Sequence, residues 1–222
     1  MSAQRVVLAY SGGLDTSVAV KWIQEEWGAE VIALAVDVGQ EPNADGAYWE
    51  AITERARIAG AIEARVVDAR AEYAARFVAN AIKANARYEG KYPLVSSLSR
   101  PVITRHLVAA AREFGADAVA HGCTGKGNDQ VRFEVSLRTL APDLEVLAPV
   151  RVWGFSRADS IAYAAQYGIP ITASLDKPYS VDENIVGRAV ECGAIEDPWN
   201  APPDDIYERT VAVADAPATP TE

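Results

Sequence analysis

The chain has 222 residues, half of them hydrophobic, and a net charge of −10 from 21 basic and 31 acidic side chains. That length allows one large domain, or one and a half, with a substantial core, and the acidic balance disfavours a nucleic-acid partner, whose affinity comes largely from phosphate neutralisation. No apolar run of about 18 residues occurs, no signal-peptide core precedes the first strand, and Cys123 and Cys192 lie far apart without a C-x-x-C, so a cytoplasmic protein with no membrane partner is expected.

Residues 6–9 form an apolar run that is predicted as a strand, and a helix is predicted to start near Asp15. Between them runs Tyr10-Ser11-Gly12-Gly13-Leu14-Asp15-Thr16-Ser17. Two adjacent glycines let a tight turn aim several backbone N–H groups inward. Those donors join the positive end of the helix dipole in a site for phosphate oxygens, to which Ser11, Thr16 and Ser17 add hydroxyls. Residues 31–36 are a continuous apolar run of the kind buried on both faces of a parallel sheet, ended by Asp37-Val38-Gly39-Gln40. Residues 44–60 read as a helix closed by Gly60, 64–68 as a third strand, and 71–86 as a long Ala-rich helix. Strands alternating with helices predict an α/β fold with a doubly wound parallel sheet, and its ligand belongs at the carboxyl ends of the strands.

Residues 88–100 form a connection rich in hydroxyls and aromatics, followed by a helix with Pro101 in its first turn. It reads equally as a capped helix start or as a substrate loop. After Gly115 comes a fourth strand, 116–120, and then the polar stretch His121-Gly-Cys-Thr124-Gly-Lys126-Gly-Asn128-Asp129-Gln-Val-Arg132. Its three glycines allow close backbone approach or positive φ. Its side chains suit a ligand of both charges, such as an amino acid beside a phosphate: Asp129 for an ammonium, Thr124 and Lys126 for carboxylate or phosphate, Arg132 for a forked contact. His121 and Cys123 have no further His or Cys near in sequence, too few for a zinc site, so no metal site is expected. Residues 144–148 are a fifth strand. Ser156 to Asp159 has capping-box spacing before a helix through Tyr167, and Ser180 to Glu183 has the same spacing. From Pro198 the chain becomes Pro-rich and acidic and reads as a linker or tail.

The loop at 10–17 resembles the S-G-G-x-D-[ST]-S loop of the ATP pyrophosphatases, adenine nucleotide alpha-hydrolase-type folds of Rossmann-like architecture. With Tyr92-Pro-Leu-Val-Ser-Ser97, Ser99-Arg-Pro101, residues 121–134, Leu140-Ala-Pro142 and Tyr179-Ser-Val-Asp-Glu-Asn184, the chain resembles the argininosuccinate synthase family from about residue 6 to 207. The resemblance implies a carbon–nitrogen ligase of arginine biosynthesis that joins L-citrulline to L-aspartate through a citrullyl-adenylate, releasing AMP and pyrophosphate. It implies ATP, with Mg²⁺, held by Ala9, Tyr10, Ser11, Gly12, Gly13, Leu14, Asp15, Thr16, Ser17, Val36 and Gly122. Citrulline falls to Tyr92, Ser97, Asn128, Arg132 and Ser180, aspartate to Thr124, Asn128 and Asp129, and Asp129 and Arg132 are the expected catalytic pair. Ala189 stands where the family often has a citrulline-contacting serine. The implied organisation is a nucleotide-binding domain at 1–170, the start of a synthetase and multimerisation domain at 171–207, and a tail at 208–222, in a family of homotetramers. An ATP-binding module without turnover and a tRNA-thiolating ATP pyrophosphatase are the alternatives.

Overall fold

A computed structural model describes residues 3–41, 44–125, 127–171 and 179–219, in which a five-stranded, all-parallel sheet carries helices on both faces. In chain order, β1 (Arg5–Ala9) leads through the Gly-rich turn into α1 (Leu14–Trp27), and β2 (Glu30–Asp37) leads into α2 (Gly46–Ile58) and β3 (Glu63–Asp68). A helical stretch follows, made of α3 (Arg70–Glu72), a π-helical segment Tyr73–Val78 and α4 (Ala79–Lys83). The short hairpin of β4 (Arg87–Tyr88) and β5 (Tyr92–Pro93) precedes the long α5 (Val95–Phe114). Then come β6 (Ala118–Ala120), α6 (Asp129–Leu140), β7 (Glu145–Leu147), α7 (Pro149–Trp153) and α8 (Arg157–Gln166). An antiparallel hairpin, β8 (Ser180–Asn184) and β9 (Gly187–Glu191), leads into short 3-10 turns, and residues 208–219 are exposed throughout.

The sheet order β3-β2-β1-β6-β7 positions the site. The chain steps outward from β1 to β3, then returns past β1 to β6, and that reversal opens a crevice beyond the carboxyl ends of β1 and β6. The continuous apolar run of β2 follows from burial on both sides. Val31, Ala33 and Ala35 pack into the layer containing α1, while Ile32, Leu34 and Val36 pack against Val102 and Leu107 of α5. Among the described residues no helix is long and apolar enough to cross a membrane.

The doubly wound sheet is as the alternation of elements predicts. The helix expected over 71–86 is interrupted by the π-helical turn, where Tyr73 is fully buried and its hydroxyl donates to Asn184 Oδ1 at 3.3 Å. Pro101 is not in a first turn, because α5 already starts at Val95 and Pro101 sits inside it. Lacking an N–H, Pro101 removes the intrahelical donor for the Ser97 carbonyl. Ser180 caps no helix; it begins β8, since residues 180–184 pair across to 187–191 and offer no 3.6-period apolar run. At α8 the capping box is complete: the Ser156 hydroxyl accepts from the Asp159 N–H at 3.2 Å and the Asp159 carboxylate accepts from the Ser156 N–H at 2.9 Å. Ser156→Ala is expected to lower stability by about 1 kcal/mol. The check is a lower urea midpoint with an unchanged slope.

Candidate active site

The Gly-rich turn is shaped by its own hydroxyls. Gly12 sits at φ +75°, where L side chains are strained, and Gly13 is the N-cap of α1 with no side chain to satisfy the first-turn donors. The Ser11 hydroxyl lies 3.0 Å from that of Thr16 and accepts from the Gly13 N–H at 3.3 Å. Opposite stands Gly122, at the end of β6; a Cβ there would lie 2.8 Å from Thr16 Cγ2, so only glycine allows the loops after β1 and β6 to approach this closely.

These loops border a cavity of about 920 Å³. Ala9, Tyr10, Ser11, Gly13, Leu14, Asp15, Thr16, Val36 and Gly122 line it, as do Leu34 of β2 and Tyr48, Trp49 and Ile52 of α2, which form an apolar wall suited to a flat ring. Two residues expected at the nucleotide lie elsewhere. Ser17 is fully buried with its hydroxyl 2.9 Å from that of Tyr10, because the helical step from Thr16 turns it to the inner face of α1. Gly12 turns its carbonyl toward Arg55 of α2 and is not among the residues lining the cavity. Burial raises the Asp15 carboxyl above its usual range, with Arg157 opposing.

A second cavity, of about 730 Å³, gathers Tyr92, Ser97, Thr124, Asn128, Asp129 and Arg132, the residues read as amino-acid contacts, while Ser180 lines the first cavity instead. Asn128 takes the N-cap position of α6 but makes no side-chain cap bond, leaving its amide for other partners. The Ser97 hydroxyl is buried without a hydrogen-bond partner, which marks a polar group awaiting a ligand. Lys126 lies outside the described residues. Cys123 and Asp182 line both cavities, so the two are neighbours that share a wall.

Between the cavities runs an ionic chain that sequence reasoning missed. Arg100, 17% exposed, reaches Asp129 at 2.6 Å and Asp182 at 2.9 Å, Asp182 accepts from the Ser96 hydroxyl at 2.8 Å, and Arg132 pairs with Asp129. Ser96 and Arg100 share a helix face by i,i+4 spacing, a signal hidden when the helix is begun at Pro101. The hairpin brings Asp182 in: alternate residues Ser180, Asp182 and Asn184 share one face, and Asn184 anchors the turn by donating to the Val95 carbonyl at 2.8 Å. Ala189 is directly opposite Asp182 in the register.

Burial pushes the Asp129 carboxyl up, and the charges and hydrogen bonds of Arg100 and Arg132 outweigh it, holding the group below its usual range. A depressed folded-state pKa contributes stability that is present above the unfolded value and lost as pH falls through the folded one. Asp129→Asn is therefore expected to flatten the acid limb of the stability profile as pH falls through and below the ordinary aspartate range; urea midpoints measured down that limb check it, and an unchanged limb refutes it. Burial also keeps the His121 imidazole neutral by lowering its pKa, and it pushes the Cys123 thiol up to about 12, so the thiol stays protonated.

The family model for "Arginosuccinate synthase N-terminal HUP domain" matches residues 5–170, and that for "Arginosuccinate synthase C-terminal domain" matches 179–222. The chain belongs to the argininosuccinate synthase family. It is 57% identical over 220 residues to the argininosuccinate synthase of Halalkalibacterium halodurans, covering 99% of this chain and 52% of that one. It is 54% identical over 222 residues to that of Gloeobacter violaceus, covering 100% and 54%. For the Listeria monocytogenes serotype 4a synthase the identity is 53% over 220 residues, covering 99% and 53%. The chain thus spans about half the length of the curated argininosuccinate synthases it matches.

Proposed function

We propose that this chain carries the nucleotide-binding half of an argininosuccinate synthase, a ligase of arginine biosynthesis that joins L-citrulline and L-aspartate at the expense of ATP. The observation that carries the reading is the adjacency of the two cavities. A cavity bordered by the Gly-rich turn shares Cys123 and Asp182 with one lined by groups for amino acids. In this reading residues 9–17, Val36 and Gly122 hold ATP, with Gly12 and Ser17 acting through the loop's shape. Tyr92, Ser97, Asn128, Arg132 and Ser180 hold citrulline; Thr124, Asn128 and Asp129 hold aspartate.

The citrulline ureido oxygen attacks the α-phosphorus, pyrophosphate leaves, and the aspartate amine then attacks the ureido carbon and expels AMP. No protein nucleophile is needed in this reaction, and burial keeps the Cys123 thiol protonated. Positioning and charge stabilisation carry the rate: donors at the Gly-rich turn receive the charge of the departing pyrophosphate, while Asp129 and Arg132 orient the amino acids. Among the described residues no three His, Cys, Asp or Glu side chains converge to hold a metal. Mg²⁺ would be held by phosphate oxygens of the nucleotide, with Asp15 the carboxylate that the loop itself could offer, and would supply charge neutralisation at the departing pyrophosphate. Residues 1–170 are the nucleotide-binding domain, 171–207 begin the synthetase domain and 208–222 form a connection. Membership of the family supports a cytoplasmic setting and a homo-oligomer, tetrameric in the family.

The test is pyrophosphate release from this chain with ATP and citrulline, with and without aspartate, beside an ATP titration. ATP binding with citrulline-dependent release, and argininosuccinate only when aspartate is added, is the expected result. Failure to bind ATP overturns the reading, and binding without release reduces it to a nucleotide module.

A further inference from the structure

Arg55, in the last turn of α2, is not among the residues lining either cavity, yet its Nη1 donates to the carbonyl oxygen of Gly12 in the Gly-rich turn. Its neighbour Arg57 makes the ordinary contacts of a helix end, with Glu54 at 3.5 Å and the Ala64 carbonyl at 3.4 Å. Arg55 differs in being partly buried, with an Nε that has no hydrogen-bond partner. Leaving such a donor desolvated costs free energy, so something other than helix stability sets this side chain's position.

We infer that Arg55 is a positioning residue for the phosphate-binding turn: it pins the Gly12 carbonyl to the α2 side and thereby turns the Gly13 N–H the other way, to the cavity-lining Ser11 hydroxyl that accepts from it at 3.3 Å. The reason is the planar trans peptide, in which the C=O of one residue and the N–H of the next point in opposite directions. No cis peptide bond occurs among the described residues. Gly12 lies against α2, where a Cβ would meet Ile52 Cγ1 at 3.2 Å, whereas Gly13 and Ser11 line the cavity. At φ +75° the Gly12 backbone has the freedom to rotate this peptide plane either way. Without Arg55 the carbonyl is free to swing toward the cavity, where its oxygen would repel a phosphate, and the same rotation breaks the Gly13 N–H bond to the Ser11 hydroxyl that shapes the turn. The guanidinium also offsets the partial negative charge of that carbonyl, lowering its repulsion of an anion in the adjoining cavity.

The inference rests on the nucleotide reading above, and its test separates the two. Binding of ATP and of adenosine to the chain is titrated for the wild type, Arg55→Met, Arg55→Lys and Arg57→Met. Arg55→Met is expected to weaken ATP binding by about 10- to 100-fold, the range of one charge-assisted hydrogen bond, while adenosine binding, which does not use the turn, is unchanged. Lysine, able to donate to the same carbonyl, restores most of the loss, and Arg57→Met, which removes the same charge two residues away, leaves ATP affinity at the wild-type level. Equal ATP affinity in Arg55→Met and wild type overturns the inference and leaves the nucleotide reading standing. A parallel loss of adenosine binding and thermal stability also overturns it, because that pattern belongs to a structural arginine. The Gly13 amide chemical shift in the free chain gives a readout independent of nucleotide: it moves in Arg55→Met while that of Gly122 does not, even if the wild type binds no ATP, and an unmoved Gly13 amide refutes the pinning.

Discussion

Replacing Gly39 with alanine is expected to destabilise the fold by about 3 kcal/mol and to disorganise the amino-acid side of the site from a position outside both cavities. Gly39 sits at φ +86° in the turn that ends β2, its N–H donating to the Asp37 carboxylate at 2.8 Å. A Cβ there would overlap Ile185 Cγ2 and lie 3.1 Å from the Ile185 backbone nitrogen. That nitrogen donates to the Val38 carbonyl at 3.1 Å, which is how the tip of the β8–β9 hairpin is fastened to the end of the sheet. The substitution therefore adds backbone strain and wedges the hairpin away, carrying Ser180 and Asp182 with it. Gly115→Ala is the control: φ is +60° but nothing lies within 4 Å of the added Cβ, so only the backbone cost of about 1 kcal/mol remains. Urea midpoints for the two variants decide the matter, and equal losses would show that the Ile185 contact yields without cost.

Arg100→Met is expected to be the most damaging single change to the site. It leaves the Asp129 and Asp182 carboxylates facing a common gap with no shared counter-charge on α5. Removing one partner from a buried ion pair costs about 3–5 kcal/mol. Asp182 is 37% exposed, and solvent screening lowers the expected loss to about 2 kcal/mol. In the proposed reaction turnover falls by more than about 100-fold, because Asp129 orients the incoming amine and Arg100 orients Asp129. Adding Asp182→Asn to Arg100→Met removes one of the stranded charges and should recover part of the stability without recovering turnover. A double variant no more stable than the single would mean that the two carboxylates are not coupled through Arg100.

Much of the architecture was legible because it rests on local patterns. The apolar runs at 6–9 and 31–36 have the continuity of strands covered on both faces, Gly115 and Gly168 follow the helices they close, and Ser156 with Asp159 forms the capping box their spacing implies. The glycine, hydroxyl and acid pattern of residues 10–17 and the polar stretch from His121 to Arg132 were likewise readable. Each is a contiguous segment whose chemistry does not depend on distant neighbours, and both lie at carboxyl ends of adjacent strands.

What remained hidden depends on contacts between segments far apart in the chain. Ser17 carries the hydroxyl of a phosphate ligand but spends it on Tyr10 inside the core, a choice set by which face of α1 meets the sheet. The spacing at Ser180 suits a helix cap or a strand, and only the pairing of residues 180–184 with 187–191 selects the strand and places Asp182 near Arg100. By itself the sequence determined the parallel α/β order and the two chemistry-bearing loops, because strand burial, turn chemistry and helix capping act over a few residues. The tertiary structure alone decided that the two cavities are neighbours, that Arg100 links Asp129 to Asp182, and that Arg55 grips the phosphate turn, because each requires side chains from separate elements to meet, and no local propensity encodes that meeting.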